Sequence, residues 1–253
     1  MTTPLLDIRG LRKHFGAVTA TAALDLQIMP GELHAIIGPN GAGKTTLLGQ
    51  LAGEVRPDAG TIRFAGQDIT SLSVRRRAAL GLARSFQISS LFPSFSTLEN
   101  VLLAVQAHQQ HRGRWWRPAH TLSPSLQTAH QVLQTVGLAE RATVRAMHLS
   151  HGEQRQLDLA LALATAPRLL LLDEPTAGMG PEESARMVAL LRSVRARYTI
   201  VLVEHDMDMV FTLADRITVL VDGRALVTDT PEAIRANVAV RQAYLGAEDD
   251  DAC

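Results

Sequence analysis

The sequence has little cysteine, little lysine, no net charge and no long apolar run, and each shortage excludes something. Cysteine occurs once among 253 residues, as Cys253, so a disulfide scaffold is excluded. The most apolar stretch, Leu157 to Leu172, is interrupted by Asp158, Pro167 and Arg168; no 18-residue run is available to span a bilayer. Lys and Arg together number 25, as do Asp and Glu, so no bulk electrostatic pull toward nucleic acid is expected. The opening MTTPLLDIRG lacks the basic-then-apolar layout of a secretory signal, which predicts a cytosolic chain. Lysine is reduced to Lys13 and Lys44, arginine serving at every other basic position. A lysine retained in so arginine-rich a chain draws attention to its surroundings, and Lys44 lies in GPNGAGKTT.

What is present suits a packed α/β protein. Hydrophobic residues make up 46% of the chain and mean hydropathy is +0.07, enough for a substantial core and too much for disorder. The length fits one large α/β domain or a core with an insertion. Strands are predicted near Leu5–Ile8, Leu24–Ile28, His34–Ile37, Thr61–Phe64, Leu169–Leu172, Ile200–Val203, Ile217–Val221 and Ala225–Thr228. Helical patterns fall at about Lys44–Ala52, Leu98–Gln109, Leu126–Val136, Glu153–Thr165, Pro181–Arg197 and Met207–Leu213, with two short ones after Thr230. Strands gather toward the two ends of the chain, and about Ile88 to Ala164 reads as helices and loops. A βα core interrupted by a helical insertion is the simplest architecture.

Gly38-Pro39-Asn40-Gly41-Ala42-Gly43-Lys44-Thr45 satisfies G-x-x-x-x-G-K-[ST] between an apolar strand and a helix. Glycines let successive backbone N–H groups turn inward, and the helix N-terminus adds positive potential. Lys44 then reaches the β- and γ-phosphates of a nucleotide, and the Thr45 hydroxyl coordinates Mg²⁺. Further on, Leu169-Leu170-Leu171-Leu172-Asp173-Glu174 reads as a central strand ending in two carboxylates. Asp173 suits the Mg²⁺ shell and Glu174 the attacking water. Between them, Leu149-Ser150-His151-Gly152-Glu153-Gln154-Arg155 contains S-x-x-E, a capping box opening a helix. A capped helix start with glycine close to the backbone is also an anion site.

The phosphate loop, Gln87 in SFQ, LSHGEQ, LLLLDE and His205 in VLVEHD resemble, in order and spacing, the ATPase subunit of ABC transporters. The likeness covers about residues 5–246. It implies a P-loop, RecA-like α/β core at about 5–87 and 165–246, with an antiparallel β edge. A helical subdomain would occupy about 88–164 and an acidic tail 247–253. GLARSFQ, SLFPSFSTLENV, LSHGEQRQLDLALAL, DEPTAGMGPEE, EHDMDMV and AIRANVAVRQAYLG are similar to the branched-chain amino-acid importer group. Urea-importer and lipopolysaccharide-export ATPases share parts of the pattern.

The resemblance also implies roles. Phe15 would stack on adenine, and Gly38 through Thr46, with Lys44 and Thr45, would hold ATP. Gln87 would join Thr45 and Asp173 around Mg²⁺ and sense the γ-phosphate. Glu174, His205 and Lys44 would carry hydrolysis, and Ser150 and Gly152 would contact the γ-phosphate held by a second ATPase subunit, in a homodimer or sister heterodimer. His151 stands where the usual signature has glycine, which fits a group with a bulky ring there. Gly180 stands where Asp or Asn is usual, removing one cross-subunit contact. The segment Ile88–Ser96, with Phe92 and Phe95, would receive integral membrane permease subunits. A substrate-binding protein would be an indirect partner, and the chain would sit peripherally on the cytoplasmic face of the inner membrane. Trp115 and Trp116, among Arg112, Arg114 and Arg117, read as an exposed loop near the bilayer or permease rather than a nucleic-acid site. A soluble ABC-type ATPase of DNA repair or translation would need a long coiled-coil insertion or a second such domain, and a purely regulatory nucleotide binder would not need Lys44, Asp173, Glu174 and His205 intact.

Overall fold

The computed structural model describes residues 3–85, 91–110 and 122–248. In chain order, β1 (Leu6–Phe15), β2 (Val18–Ile28) and β3 (Leu33–Ile37) lead into α1 (Lys44–Ala52). Next come β4 (Ala59–Phe64), β5 (Gln67–Asp68), α2 (Val74–Ala79) and β6 (Leu82–Arg84). Helices α3 (Thr97–Gln110), α4 (Leu122–Thr135) and α5 (His151–Leu163) precede β7 (Leu169–Asp173) and α6 (Pro181–Val194). The last described elements are β8 (Thr199–Val203), α7 (Met207–Leu213), β9 (Arg216–Val221), β10 (Arg224–Asp229), α8 (Pro231–Ala236) and α9 (Val238–Glu248). They form two compact units, residues 1–77 with 197–253, and residues 78–196.

The first unit carries two rows of strands. One is antiparallel, in the order β2-β1-β4-β5. Its apolar face alternates as a half-buried sheet requires, with Leu6 opposite Ile28, Ile8 opposite Leu26 and Leu11 opposite Leu24, all buried. In the second row β3 lies between β8 and β9, parallel to both, and β10 pairs antiparallel with β9. Every residue of β3 and β8 is buried, as expected of central strands covered on both faces. Ala35, Ile37, Val210, Ile217, Val219, Ile234 and Val240 make one cluster that joins these strands to α7, α8 and α9.

In the second unit β6 runs parallel to β7, from Leu82 opposite Leu169 to Arg84 opposite Leu171. Helix α3 packs on α4, both pack on α5, and α5 packs on α6. Among the described residues between 91 and 164 the only strand-like pairing is an isolated bridge of Ser96 with Arg145.

Helices α1 and α7 start and stop where the sequence places them, and the eight predicted strands are all found. The departures have local causes. β1 and β2 extend well past Ile8 and begin well before Leu24, because ladder hydrogen bonds continue between His14 and Thr19 and between Lys13 and Thr21 where apolar alternation has faded. β5 is two exposed polar residues, and β6 and α2 are three and six residues long, too short to leave a period. α9 runs through Glu248, into the segment read as an acidic tail.

Candidate functional site

The phosphate loop leaves β3 at Ile37 and enters α1 at Lys44. Gly38 has φ +155°, and a Cβ there would collide with the carbonyl of Leu220; Gly43, at φ +98°, would meet the carbonyl of Ala20. Both glycines are therefore fixed by the strands against which the loop is folded. The loop is braced from the β9–β10 turn, where Gly223 N–H donates to the carbonyl of Ala42 at 3.0 Å and its own carbonyl accepts from Ala22 N–H at 2.8 Å. Lys44 Nζ donates to the carbonyls of Gly38 at 2.7 Å and Pro39 at 3.0 Å, which holds the ammonium inside the arch. No acidic side chain occupies the first turn of α1, so no charge in that turn opposes the attraction of an anion to the helix dipole. Asn40, Gly41 and Thr45 are exposed, and Thr46 and Lys44 are half-buried.

His205 lies at the same sheet edge. β8 pairs in parallel register with β3, Val203 opposite Ile36, so both strands deliver their next residues to one end of the sheet. The His205 side chain is 68% exposed, and Asp206 caps α7 by accepting from Met209 N–H at 3.1 Å. Phe15 is 51% exposed at the tip of the β1–β2 hairpin, with Lys13 Nζ 5.2 Å from its ring centroid. An apolar ring left in solvent at a hairpin tip has a free face for stacking.

In the second unit Asp173 ends β7 with its side chain fully buried, and Arg84 Nη2 donates to its Oδ2 at 2.8 Å. Oδ1 is also buried and accepts no hydrogen bond from the described residues. A buried carboxylate oxygen without a donor fits a cation or a cation-bound water. Glu174 follows with φ +47°, the left-handed region that costs an L-residue about 1–2 kcal/mol. The turn it starts is closed by Ala177 N–H donating to the Glu174 carbonyl at 3.1 Å. Sequence reasoning found both acids and missed Arg84, whose partner is 89 residues away.

The signature segment forms the expected capping box. Ser150 Oγ accepts from Glu153 N–H at 3.2 Å, and Glu153 Oε2 accepts from Ser150 N–H at 2.9 Å. Arg141 holds the other oxygen of Glu153 at 2.8 Å. The same helix start already binds an anion: Glu183 Oε1 accepts from Gly152 N–H at 3.3 Å and from Ser150 Oγ at 3.4 Å. A Cβ on residue 152 would clash with that carboxylate. The His151 ring nitrogen Nε2 lies 3.2 Å from the Ala177 carbonyl, tying the signature to the loop after Glu174. Gly180 is the N-cap of α6 and supplies no side-chain cap. Glu183 was not singled out from the sequence, where an acid in a first helical turn is ordinary.

Phe92 and Phe95 are 54% and 39% exposed, with ring centroids 5.3 Å apart. Buried Asn100 holds their loop, accepting from Phe92 N–H at 2.8 Å and donating to the carbonyls of Phe92 and Ser96 at 3.1 and 2.9 Å. Exposed Met147 joins this face, its N–H donating to the Pro93 carbonyl at 3.1 Å. Gln87, residues 88–90 and Trp115 and Trp116 lie outside the described residues. No helix among the described residues is long and apolar enough to cross a membrane.

The chain is similar to known proteins along nearly its whole length. Residues 21–177 match the family described as ABC transporter, and residues 226–250 match one described as branched-chain amino acid ATP-binding cassette transporter. The chain is 39% identical over 255 residues to the high-affinity branched-chain amino acid transport ATP-binding protein LivG of Escherichia coli K12, covering 97% of this chain and 99% of LivG. It is 38% identical to the corresponding protein BraF of Pseudomonas aeruginosa, again over 97% and 99% of the two chains. Its fold matches an ATP-binding cassette of an ABC transporter solved in the ADP conformation, with TM-score 0.84 and 25% identity over 97% of this chain and 100% of that one.

Proposed function

The chain belongs to the ABC transporter ATPase family, with its P-loop, RecA-like α/β core and helical subdomain, and on that premise we propose that it binds and hydrolyses ATP to drive import of branched-chain amino acids. The observation that carries the solute class is the match over residues 226–250. Nucleotide-handling motifs serve every transporter of the family, whereas this segment, β10 through α9, contains none of them.

Each site residue has a role its chemistry suits. Backbone N–H groups of Gly38–Thr46 and the Lys44 ammonium take up the charge of the β- and γ-phosphates. Thr45, Asp173 and Gln87 would hold Mg²⁺, since a hydroxyl, a carboxylate and an amide oxygen are donors that a hard cation takes. Bound there, the metal would neutralise charge on the nucleotide's phosphates. Glu174 accepts a proton from, and so orients, the attacking water, and its strained backbone aims the carboxylate. His205 donates to the γ-phosphate, and Phe15 stacks on adenine. Ser150 Oγ and Gly152 N–H serve the γ-phosphate bound to a second ATPase subunit, a copy or a sister, with Gly180 contributing no side chain across the pair.

Phe92, Phe95 and Met147 give membrane permease subunits an apolar seat, with a substrate-binding protein acting through those permeases. The working position is peripheral, on the cytoplasmic face of the membrane. The test is co-reconstitution with the permease pair in liposomes. ATP-dependent uptake of leucine, isoleucine and valine is expected, and Glu174→Gln should lower turnover about 10²–10⁴-fold while ATP binding persists. Uptake confined to urea or another solute class would overturn the solute assignment, and unimpaired turnover of the variant would remove Glu174 from its role.

A further inference from the structure

We propose that Arg84 is a positioning residue for hydrolysis: an internal counter-cation that neutralises Asp173 in the metal-free state and opposes Mg²⁺ at the same carboxylate. The inference rests on the reading of Asp173 as a metal ligand and adds the group that sets how tightly the metal is held there.

Asp173 follows four leucines on a strand whose every residue is buried. A carboxylate in such a place is costly to bury without a positive charge beside it. Arg84 provides that charge from the end of the neighbouring strand β6, with a side chain only 10% exposed. Its contact with Asp173 is one-sided, since Nη2 reaches Oδ2 while Oδ1 is left without a donor among the described residues. A forked pair would have engaged both oxygens; this one engages Oδ2 and leaves Oδ1 to a second cation. The narrow cavity beside Asp173 is also lined by Ser85, Arg155 and Asp158. Arg84 makes a direct ion pair with Asp173 from the neighbouring strand. Two cations sharing one carboxylate repel each other. Arg84 therefore stabilises the metal-free chain and weakens Mg²⁺, which eases release of the metal after each turnover.

The experiment uses the full chain with ATP, following nucleotide binding by fluorescence and melting temperature by thermal shift across a Mg²⁺ titration. Arg84→Gln should lower the Mg²⁺ concentration for half-maximal ATP binding by about tenfold, the scale on which one nearby charge moves an ionic equilibrium. Its melting temperature should fall more in EDTA than in saturating Mg²⁺ and ATP. Arg84→Lys, which keeps the charge, should retain the wild-type Mg²⁺ dependence. An equal loss of melting temperature with and without Mg²⁺, at unchanged half-maximal Mg²⁺, would make Arg84 a structural tie and overturn the proposal. Should Arg84→Gln fail to fold, the double variant Arg84→Gln with Asp173→Asn carries neither charge and should fold; if it too fails, Arg84 is needed for packing and the proposal is wrong. Asp173→Asn alone reports on the underlying reading, because it should abolish most of the Mg²⁺ dependence. If it does not, the metal-ligand role of Asp173 fails first, and the Arg84 role falls with it.

Discussion

Arg77 Nη1 donates to the carbonyl oxygen of Leu51 at 2.7 Å, sealing the C-terminal end of the helix whose first turn closes the phosphate loop. The same nitrogen donates to Gln50 O at 2.6 Å, Nε to Leu72 O at 3.0 Å and Nη2 to Thr70 O at 3.0 Å. The side chain is 1% exposed. Burial depresses its pKa, and the charge of Asp68 opposes the shift. A cation at a helix C-terminus is favoured by the dipole, and here one guanidinium also satisfies four carbonyls at once. Arg77→Met should cost about 2–4 kcal/mol in chemical denaturation, since it strands buried carbonyls. Arg77→Lys should recover little, because an ammonium has three donors and no fork. Full recovery by lysine would show that charge alone matters.

Ser150 serves its own helix as well as the proposed γ-phosphate. Ser150→Ala should lower stability by about 1 kcal/mol through loss of the cap. Ser150→Asp keeps a capping oxygen but adds charge beside Glu183, which already accepts from Gly152 N–H. Urea unfolding should therefore separate the variants less than ATP-driven transport does, with the aspartate nearly inactive. Transport by Ser150→Asp at the wild-type rate would restrict Ser150 to capping.

Phe92 and Phe95 stack on each other and both remain exposed. Truncating both to Ala should change thermal stability by no more than about 1 kcal/mol, the worth of one aromatic pair. Basal ATPase should survive while recovery of the permease complex from detergent is lost. A large fall in melting temperature with intact association would place the rings in the subunit's own core.

His34 is fully buried in β3, four residues before the phosphate loop begins at Gly38. Its Nδ1 lies 2.7 Å from Glu32 Oε1 and its Nε2 2.7 Å from Thr218 Oγ1, while Glu32 Oε2 accepts from Met29 N–H at 2.7 Å. Burial tends to raise the Glu32 pKa, but the hydrogen bonds from His34 and Met29 outweigh it, and the net shift is below the ordinary 4.5. A carboxylate depressed in the folded state contributes stability that is present above its unfolded pKa and lost as pH falls through the folded value. Glu32→Gln should thus lower stability at pH 7 and flatten its decline below about pH 4.5, measured as unfolding free energy against pH. An unchanged acid limb would assign that decline to other carboxylates.

Local order was legible wherever chemistry and periodicity coincide along the chain. The glycine pattern of residues 38–45 dictates a loop between strand and helix because the backbone needs those glycines to turn. The four leucines before Asp173 dictate a central strand because only two-sided burial suits them. Ser150 and Glu153 are three residues apart, which is the geometry of a capping box. Position along one chain was enough for each.

Tertiary structure alone decided the partners of the charged groups. Nothing near Arg77 in sequence marks it as buried, since burial follows from four carbonyls brought around it by α1 and the β4–α2 segment. Arg84 meets Asp173 because a three-residue strand pairs with one that begins 85 residues later, and Glu183 meets Gly152 because α6 folds onto α5. Long-range contacts of this kind are set by how whole elements pack, and packing is a property of all the buried surfaces together. A sequence read in windows records which side chains can be satisfied; only the assembled core fixes by whom.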